Sequence, residues 1–332
     1  MLKVKVVTEQ QEARAIWESV IPQENVSDLW EFRECFQRQY QRPLHFIVAE
    51  EDGRICGLLP LSWIEEKNVM SYFPGETWQG KSWLEQNRVI AENRRVLRAM
   101  LNRCPSEYHL RYLLPTEEAL SATNIVDEIG YLFNPPHYDY KFDNYMEEFS
   151  HKSARRLVRE LDAFDARGVE YRFDQIEDFD IMARMNIERY GIFSYFYDTR
   201  FSSSFRSLAE YLHANGMLRM TTISVEGNVA AVDMGCVYNG TYTLLAGGTN
   251  GEFPGIAKLI NTFHMKRACN EKFDSVDFLC GDFSWKSIFH LSMRPLYLVS
   301  NVSVASVNWD AMMLRPAIGF HTGSMAGRFS HV

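Results

Sequence analysis

The chain repeats one order of predicted elements in its two halves, and this repeat constrains the fold more than any single motif. In the first half, HFIVAE (45–50) and ICGLLPLSW (55–63) are apolar runs joined through Asp-Gly, which is typical of a tight hairpin turn. MTTISV (220–225) and VAAVDMGCVY (229–238) repeat this pattern around Gly227. After each hairpin come a third short strand, a loop containing Phe-Pro-Gly, a helix and another strand. Each half is therefore predicted to fold as β-β-β-α-β.

The helices predicted in these units are SWLEQNRVIAENRRVLRAMLNRC (82–104) and IAKLINTFHMKRACNEK (256–272). Between the units, NPPHYDYKF (134–142) is rich in proline and opposed to helix, so we place a domain boundary near residues 134–150. We predict an α+β chain of two tandem domains, each with a mixed, mostly antiparallel sheet flanked by helices. The first domain covers residues 1–140 and the second covers residues 141–310, and a tail follows at 311–332.

Composition limits the classes of function. Of 332 residues, 46% are hydrophobic and 23% are charged, which is typical of a folded globular chain. The net charge of -8 argues against a broad polyanion-binding surface, although a local basic patch remains open. The six cysteines show no CxxC spacing, so we expect reduced thiols and no metal site. No apolar run has the length of a membrane span or of a signal peptide, and we expect a cytoplasmic protein without membrane insertion.

Four stretches of the second half carry a resemblance to a known superfamily. They are SHKSARRLVREL (150–161), AAVDMG (230–235), EFPGIAKLI (252–260) and VDFLCGDFSWK (276–286). Their order resembles that of the GNAT acyltransferases, and two copies in one chain resemble the tandem members of that superfamily. The chain is similar to an acetyltransferase-like family linked to cellulose and exopolysaccharide biosynthesis, which is related in fold to the Fem-type aminoacyl transferases. The first half matches by element order alone.

The resemblance implies a donor site at the loop before the second predicted helix. GNAT proteins carry the pattern Arg/Gln-x-x-Gly-x-Gly/Ala there, and its amides bind the coenzyme A pyrophosphate at a helix N-terminus. Small residues match this pattern, but a carboxylate takes its first position, and Pro254 removes one amide donor. With acetyl-CoA or another acyl-CoA as co-substrate, the expected contacts are Gly247, Gly248, Glu252, Gly255, Ile256 and Ala257.

Three residues are candidates for the chemistry. Asp233 interrupts an apolar strand, where a carboxylate is costly unless it is paired or faces a cleft, and it is a candidate general base. A place on the solvated face of a half-exposed sheet is the structural alternative. The resembling family has a polar residue in this strand, which favours a role as general base or in orienting the acceptor amine. Asp282 and Lys286 follow a strand that we predict to be parallel, at the edge where α/β sheets bind ligands. Helix capping by Asp282 and simple exposure of Lys286 are the structural alternatives.

Further candidates are weaker. His290 and Tyr297 are alternative proton donors to a leaving thiolate. A basic run on one predicted helix could dock a phosphate-rich donor or form a solvated face. The run RYGIFSYFYDTRF (189–201) could wall an acceptor pocket or pack between the halves. The basic run consists of Lys152, Arg155, Arg156 and Arg159.

The resemblance implies an N-acyltransferase that moves an acyl group, most simply acetyl, from a coenzyme A thioester to an amine. The alternatives are transfer from aminoacyl-tRNA, as in the Fem-type relatives, and a binding module without catalysis. An amino sugar, a peptide amine or a polyamine could serve as the acceptor. The sequence leaves the acceptor and the oligomeric state open.

Overall fold

The computed structural model describes residues 1–123, 125–281, 286 and 288–302. Over these residues, thirteen strands form one sheet in the order β1-β2-β3-β4-β6-β13-β7-β12-β11-β10-β9-β8, and β5 pairs with β3. The strands are β1 Lys3–Val7, β2 Leu44–Glu51, β3 Arg54–Ile64, β4 Val69–Tyr72, β5 Ile90–Ala91, β6 Tyr108–Leu113, β7 Val126–Phe133, β8 Val169–Phe173, β9 Leu218–Val225, β10 Asn228–Tyr238, β11 Thr241–Thr249, β12 Ser275–Asp277 and β13 Ser292–Ser300.

The pairing confirms the predicted repeat. Strands β1 to β4 are antiparallel neighbours, and β6 then pairs with β4 in parallel. In the second half, β8 to β11 are antiparallel neighbours, and β12 then pairs with β11 in parallel. Both hairpin turns place two successive residues at positive φ, with Gly53 at 80° and Gly227 at 76°. Glycine adopts this conformation without the steric cost that a side chain brings, so these turns close tightly.

The halves exchange a strand at the centre of the sheet. The last strand of the first half, β7, pairs with β12, and Val276 lies opposite Phe133. The last strand of the second half, β13, lies between β6 and β7. Because each half supplies a strand that borders the other, the sheet is continuous across the predicted boundary. The division at residue 140 stays a prediction, and the predicted tail lies outside the described residues.

Helices cover both faces of the sheet. Within the described ranges, none of them combines the length and apolar composition that a membrane span requires. Three of them, α2, α4 and α5, lie in segments where we predicted no helix, and α5 begins in the proline-rich stretch that we interpreted as opposed to helix. The α-helices are α1 Gln10–Val20, α2 Trp30–Tyr40, α3 Arg94–Leu101, α4 Glu117–Ala122, α5 Phe142–Met146, α6 His151–Asp165, α7 Asp178–Tyr190, α8 Thr199–Ala214 and α9 Ile256–Glu271.

The helix predicted over residues 82–104 begins twelve residues later than expected, and that part of the prediction is wrong. Helix α3 starts at Arg94, where the side chain of Asn93 accepts the N–H of Val96 as an N-cap. The preceding segment is extended, with Gln86 at a φ of 60°. A residue in the left-handed region interrupts helical geometry. The apolar residues before Asn93, whose spacing suggested a helix, are instead buried between the halves.

Aromatic residues from both halves share one apolar core. Phe32 and Phe36 of α2 pack with Phe201 and Phe205 of α8, and the Phe36 and Phe205 ring centroids are 6.0 Å apart. The ring of Trp83 lies 4.7 Å from that of Phe205. Edge-to-face rings at such distances add to the energy of burial. This core fixes the position of Trp83 and therefore of the residues that follow it.

Candidate functional site

A cleft opens where β11 and β12 separate. The two strands pair in parallel only over Thr241–Thr243 and Ser275–Asp277. Beyond these residues β11 continues to Thr249, while β12 ends at Asp277. Over the described residues, the edge of β11 that faces β12 has no ladder partner past Thr243. This splay, as we call it, leaves backbone donors and acceptors of β11 facing a gap.

A loop from the first half enters the splay. Residues 76–87, the 76–87 loop, contribute Trp83, Leu84, Glu85 and Gln86 to a narrow cavity there. The second half contributes side chains from β11 and from the end of β12. The remaining lining residues are Val26, Ser27, Phe32, Thr243, Leu245 and Leu279. Both halves are therefore needed to build the cavity.

The buried carboxylate of Glu76 holds the loop in its extended shape. One oxygen, Oε1, accepts the backbone N–H groups of Trp83 at 3.0 Å and Leu84 at 2.7 Å, together with the Ser82 hydroxyl at 3.0 Å. Burial raises the pKa of Glu76, and the bonds from the two amides oppose that shift. A carboxylate that satisfies two backbone donors replaces the hydrogen bonds that a helix would have supplied.

Glu85 is the carboxylate that faces the cavity. Its two oxygens lie 3.0 and 2.9 Å from the backbone nitrogen of Cys280, just past the end of β12. Burial and the charge of Asp277 raise the pKa of Glu85, hydrogen bonding from Cys280 lowers it, and together they bring it to about 7. A half-buried carboxylate with a pKa near neutrality can both accept and release a proton at physiological pH.

Asp277 ends β12 and connects the two halves. Its Oδ2 accepts a hydrogen bond from Gln86 Nε2 at 2.8 Å and forms an ion pair with Arg294 Nη1 at 2.8 Å. The Oδ1 atom accepts the N–H of Leu279 at 2.9 Å. Asp277 and Gln86 are both buried, so these bonds fix the 76–87 loop against the end of β12.

Lys286 lies at the same strand end, where the sequence had suggested a catalytic role. Its buried Nζ donates to the carbonyl oxygens of Phe278 and Leu279 at 2.9 Å and of Cys280 at 2.8 Å. Burial lowers the pKa of Lys286 to about 8, and the charge of Glu85 opposes that shift. By binding three successive carbonyls, Lys286 turns the chain so that the Cys280 N–H points at Glu85. Its catalytic role stays a prediction.

Asp233 lies in β10 beneath α9, in the core. Only 4% of its surface is exposed, and its Oδ2 lies 3.0 Å from Nε2 of His264. The ring of His264 stacks on Tyr242, with centroids 4.9 Å apart. A β-carbon at Gly247 would lie 2.3 Å from Asp233 Oδ1. Gly247 therefore leaves the space that the buried carboxylate occupies.

The predicted donor loop starts α9. Gly255, at a φ of 94°, is the N-cap, and the N–H of Ile256 donates to the carbonyl of Phe253 at 3.1 Å. Glu252 and Gly255 are exposed, Ala257 is half-buried and Ile256 is buried. Small residues and an exposed backbone are what a pyrophosphate contact at a helix N-terminus needs.

Gly248, the sixth predicted donor contact, packs against α7 instead of facing the loop. A β-carbon there would lie 2.6 Å from the carbonyl oxygen of Met182. This close approach explains the glycine structurally. Whether any of the six residues contacts a donor stays a prediction.

The basic side chains of α6 flank the donor loop. Arg156 lies 3.9 Å from Glu160, which also pairs with Lys258 in the first turn of α9. The other three members of the run, Lys152, Arg155 and Arg159, are exposed. Lys258 and Arg156 therefore lie near the N-terminus of α9, where the helix dipole favours an anion, and both share the carboxylate of Glu160.

The remaining candidates fall in different places. His290 is exposed, with its ring 4.7 Å from Phe149. Tyr297 lies in the exchanged strand β13 and packs against the core of the first half, outside the splay. Asp282 lies outside the described residues. The structure therefore supplies no geometry for a leaving-group acid among these residues.

The aromatic run 189–201 packs between the halves, as one of its two interpretations predicted, and its role as the wall of an acceptor pocket stays a prediction. Tyr195, Phe196 and Phe201 pack in the core that the halves share. Tyr190 and Tyr197 are exposed beside that core. Exposed rings next to a cleft can contact an apolar part of a ligand.

Sequence reasoning missed Glu85. The motif WLEQN was included in a predicted helix, where a glutamate is ordinary. Nothing in the sequence around Glu85 indicated that its side chain faces a cleft. The partner that reveals Glu85, the Cys280 amide, lies 195 residues away.

Comparisons with known proteins agree with this architecture. Residues 150–287 match the family model described as an acetyltransferase (GNAT) domain. A comparison with curated proteins found no match. Among solved structures, FemX superposes with a TM-score of 0.58 and 10% identity, over 91% of this chain and 98% of that chain.

Two further structures extend the comparison. L-PGS from Bacillus licheniformis has a TM-score of 0.55 and 11% identity, over 94% of this chain and 98% of that chain. A tandem GNAT protein from the clavulanic acid biosynthesis pathway has a TM-score of 0.50 and 9% identity, over 91% and 99%. The chain therefore has a GNAT-superfamily fold of the Fem-related kind, which confirms the predicted α+β tandem fold. The link to cellulose or exopolysaccharide stays a prediction.

Proposed function

We propose that the protein is an N-acyltransferase whose reaction takes place in the splay between β11 and β12. The observation that carries this proposal is the position of Glu85, a carboxylate with a pKa raised to about 7 that lines the cavity. General bases work best when their pKa lies near the operating pH. The GNAT fold and the Fem-related structures support acyl or aminoacyl transfer as the class of reaction.

In this mechanism, the acceptor amine attacks the carbonyl carbon of a thioester held along β11. Glu85 takes the proton that the nitrogen loses, and the C–S bond breaks with its electron pair going to sulfur. The thiolate takes a proton from solvent to become the thiol, and Glu85 releases its proton to solvent before the next turnover. Backbone N–H groups of β11 beyond Thr243 are the donors available to hold the carbonyl oxygen as it gains charge. The amine must be neutral to attack, so an ionised Glu85 and a neutral acceptor define the active state.

We assign the base to Glu85 and not to Asp233. Asp233 is buried beneath α9 and paired with His264, so a substrate amine has no path to it without moving that helix. Lys286 positions the Cys280 amide that binds Glu85. Asp282 keeps its predicted role as a second candidate, since it follows the same strand end.

The donor proposed here is acetyl-CoA or another acyl-CoA, with its pyrophosphate at the 252–257 loop and the α6 cations beside it. An aminoacyl-tRNA is the second candidate donor. The specific observation in its favour is the exposed Glu252, which would repel a pyrophosphate at this loop. A small-molecule, saccharide or peptide amine is the proposed acceptor, and a cytoplasmic location remains part of the proposal.

A transfer assay tests the proposal. The purified protein is incubated with acetyl-CoA and a panel of amino sugars, peptides and polyamines, and thiol release is followed against reactions without the amine. In parallel, charged tRNA replaces acetyl-CoA. Amine-dependent thiol release that Glu85→Gln removes supports the proposal, and Glu65→Gln, an exposed glutamate in the same half, is the control. If transfer occurs with charged tRNA and not with acetyl-CoA, the donor is an aminoacyl-tRNA and the proposed site is retained.

A further inference from the structure

A two-residue hairpin in the 76–87 loop carries a buried lysine. The N–H of Trp78 donates to the carbonyl of Lys81 at 2.9 Å, and the N–H of Lys81 donates back at 2.9 Å. Gln79 and Gly80 between them have φ values of 49° and 83°, as in a type I′ turn. Partners in such a pair project their side chains to the same face. The Trp78 indole and the Lys81 ammonium therefore share one face of the hairpin.

Lys81 is buried without a counter-charge. Only 9% of its surface is exposed. Among the described residues, no carboxylate lies within ion-pair distance of its Nζ, and no side chain or carbonyl accepts a hydrogen bond from it. Burial is the sole cause that shifts its pKa, and it lowers it. An ammonium group in such a place is costly unless a ligand supplies the acceptor.

A second donor on the same face also lacks a partner. The Trp78 Nε1 atom is buried, and nothing in the described part of the chain accepts its hydrogen. The Lys81 Nζ lies 5.8 Å from the Phe193 ring centroid, and the Trp78 ring lies 6.3 Å from that of Tyr197. Tyr197 is 51% exposed, so the aromatic surround reaches the surface. Two unused donors beside the rings of Phe193 and Tyr197 form a site for a group that accepts hydrogen bonds.

Hydrogen bonds connect this hairpin to the splay. The carbonyl of Ser82 accepts the Tyr195 hydroxyl at 3.2 Å. Next to Tyr195, the Ser194 hydroxyl donates to Asn186 at 2.7 Å, and Asn186 donates to the carbonyl of Gly247 in β11 at 2.9 Å. These bonds connect the hairpin to β11, the strand along which the thioester is proposed to lie.

We propose that Lys81 and Trp78 bind an oxyanion, a carboxylate or a phosphate, carried by the acceptor substrate. The oxygens of such a group can accept from an ammonium and from an indole N–H, and the negative charge neutralises the buried cation. The acceptor assignment rests on the proposed acyl transfer, whereas the oxyanion site stands on the hairpin alone. The acceptor is then an amine that also carries an acidic group, as in an amino acid, a peptide terminus or a sugar phosphate.

Binding of simple anions tests the site without any acyl donor. The thermal midpoint of the full-length protein is measured in inorganic phosphate and in acetate, against sodium chloride at equal ionic strength. We expect one anion to raise the midpoint, and its identity distinguishes phosphate from carboxylate. Lys81→Met and Trp78→Phe should each weaken that anion at least about tenfold, since each removes a donor to a charged acceptor. Lys3→Met removes an exposed lysine and should leave the anion effect unchanged.

The stability of Lys81→Met separates a binding role from a structural one. Without an anion, this variant should unfold at the native midpoint or above it, because a buried unpaired charge has been removed. A lower midpoint combined with an intact anion effect would overturn the proposal. So would a native protein that responds to neither anion. Anion binding that persists when no acyl transfer is found would leave the site in place and remove only its assignment to an acceptor.

Discussion

The carboxylate of Glu85 binds the backbone N–H of Cys280, with oxygen-to-nitrogen distances of 3.0 and 2.9 Å, although the two residues belong to different halves of the chain. The first half has the less recognisable sequence, yet it supplies the carboxylate of the candidate site. The second half supplies the strand end, the amide and Lys286. A tandem arrangement joined by a shared core and exchanged strands keeps these groups in register.

Replacing Glu85 by Gln should lower kcat by about 100-fold, because general-base catalysis contributes roughly that factor or more. Gln keeps the shape of the side chain and loses its basicity. Steady-state kinetics on the best acceptor from the amine panel measures the effect. Glu65→Gln, with an exposed carboxylate in the same half, should match the native rate. A Glu85→Gln enzyme with native kcat would remove Glu85 from the mechanism.

The pH profile of kcat should report the raised pKa of Glu85. The ionised form is the base, so the rate should fall as pH drops through about 7, where the carboxylate becomes protonated. An unperturbed carboxyl, with a pKa near 4.5, would place this fall more than two pH units lower. Initial rates between pH 5 and 9 with saturating acceptor measure the midpoint. A flat profile down to pH 5 would contradict the assignment.

Gly247→Ala should destabilise the fold. A β-carbon at this position would lie 2.3 Å from Asp233 Oδ1, so either the carboxylate or β11 must move. We expect a loss of about 1 to 3 kcal/mol in the free energy of unfolding. Gly251→Ala is the matched control, since no described atom lies within 4 Å of the added carbon. Urea unfolding of both variants measures the difference, and equal stabilities would show that the close approach is not maintained in solution.

Asp233→Asn separates a structural role from a catalytic one. The buried contact with His264 predicts a loss of about 1.5 to 3 kcal/mol in the free energy of unfolding, as for a hydrogen bond to a charged group. The folded enzyme should keep kcat within a few-fold of native. Denaturant unfolding gives the free energy of unfolding, and steady-state kinetics on the same preparation gives kcat. A kcat lowered about 100-fold at native stability would return the base to Asp233.

Local patterns predicted much of the fold. Alternating apolar runs around Asp-Gly and Gly227 located both hairpins, and helical spacing after EFPGIA located α9 within a residue. These features depend on contacts along one stretch of chain. The exchange of β7 and β13 depends on pairing between distant segments, so no periodicity shows it. Helix α2 was missed because seven of its eleven residues are buried and only four of these lie in the core shared with α8, so its sequence shows no simple two-faced pattern.

The site was less predictable than the fold for a related reason. Lys286 was found because it follows a strand end, which is a local property. Glu85 is defined by the Cys280 amide and by Asp277, both far away in sequence. Lys81 is likewise unusual only because it is buried with no carboxylate nearby among the described residues, and its local sequence does not show this. Asp233 stood out as a charge in an apolar strand, but only the structure shows that His264 pairs with it.

Calorimetric titration of the protein with acetyl-CoA tests the central claim most directly. The native protein is compared with Gly255→Glu and Gly255→Ala. Both substitutions carry the strain of a φ of 94°, and only Glu adds charge and bulk to the donor loop. We predict that the native protein binds, that Gly255→Ala binds within about tenfold, and that Gly255→Glu shows no binding. A native protein that does not bind acetyl-CoA, or a Gly255→Glu variant that binds as Gly255→Ala does, would contradict a coenzyme A site at this loop.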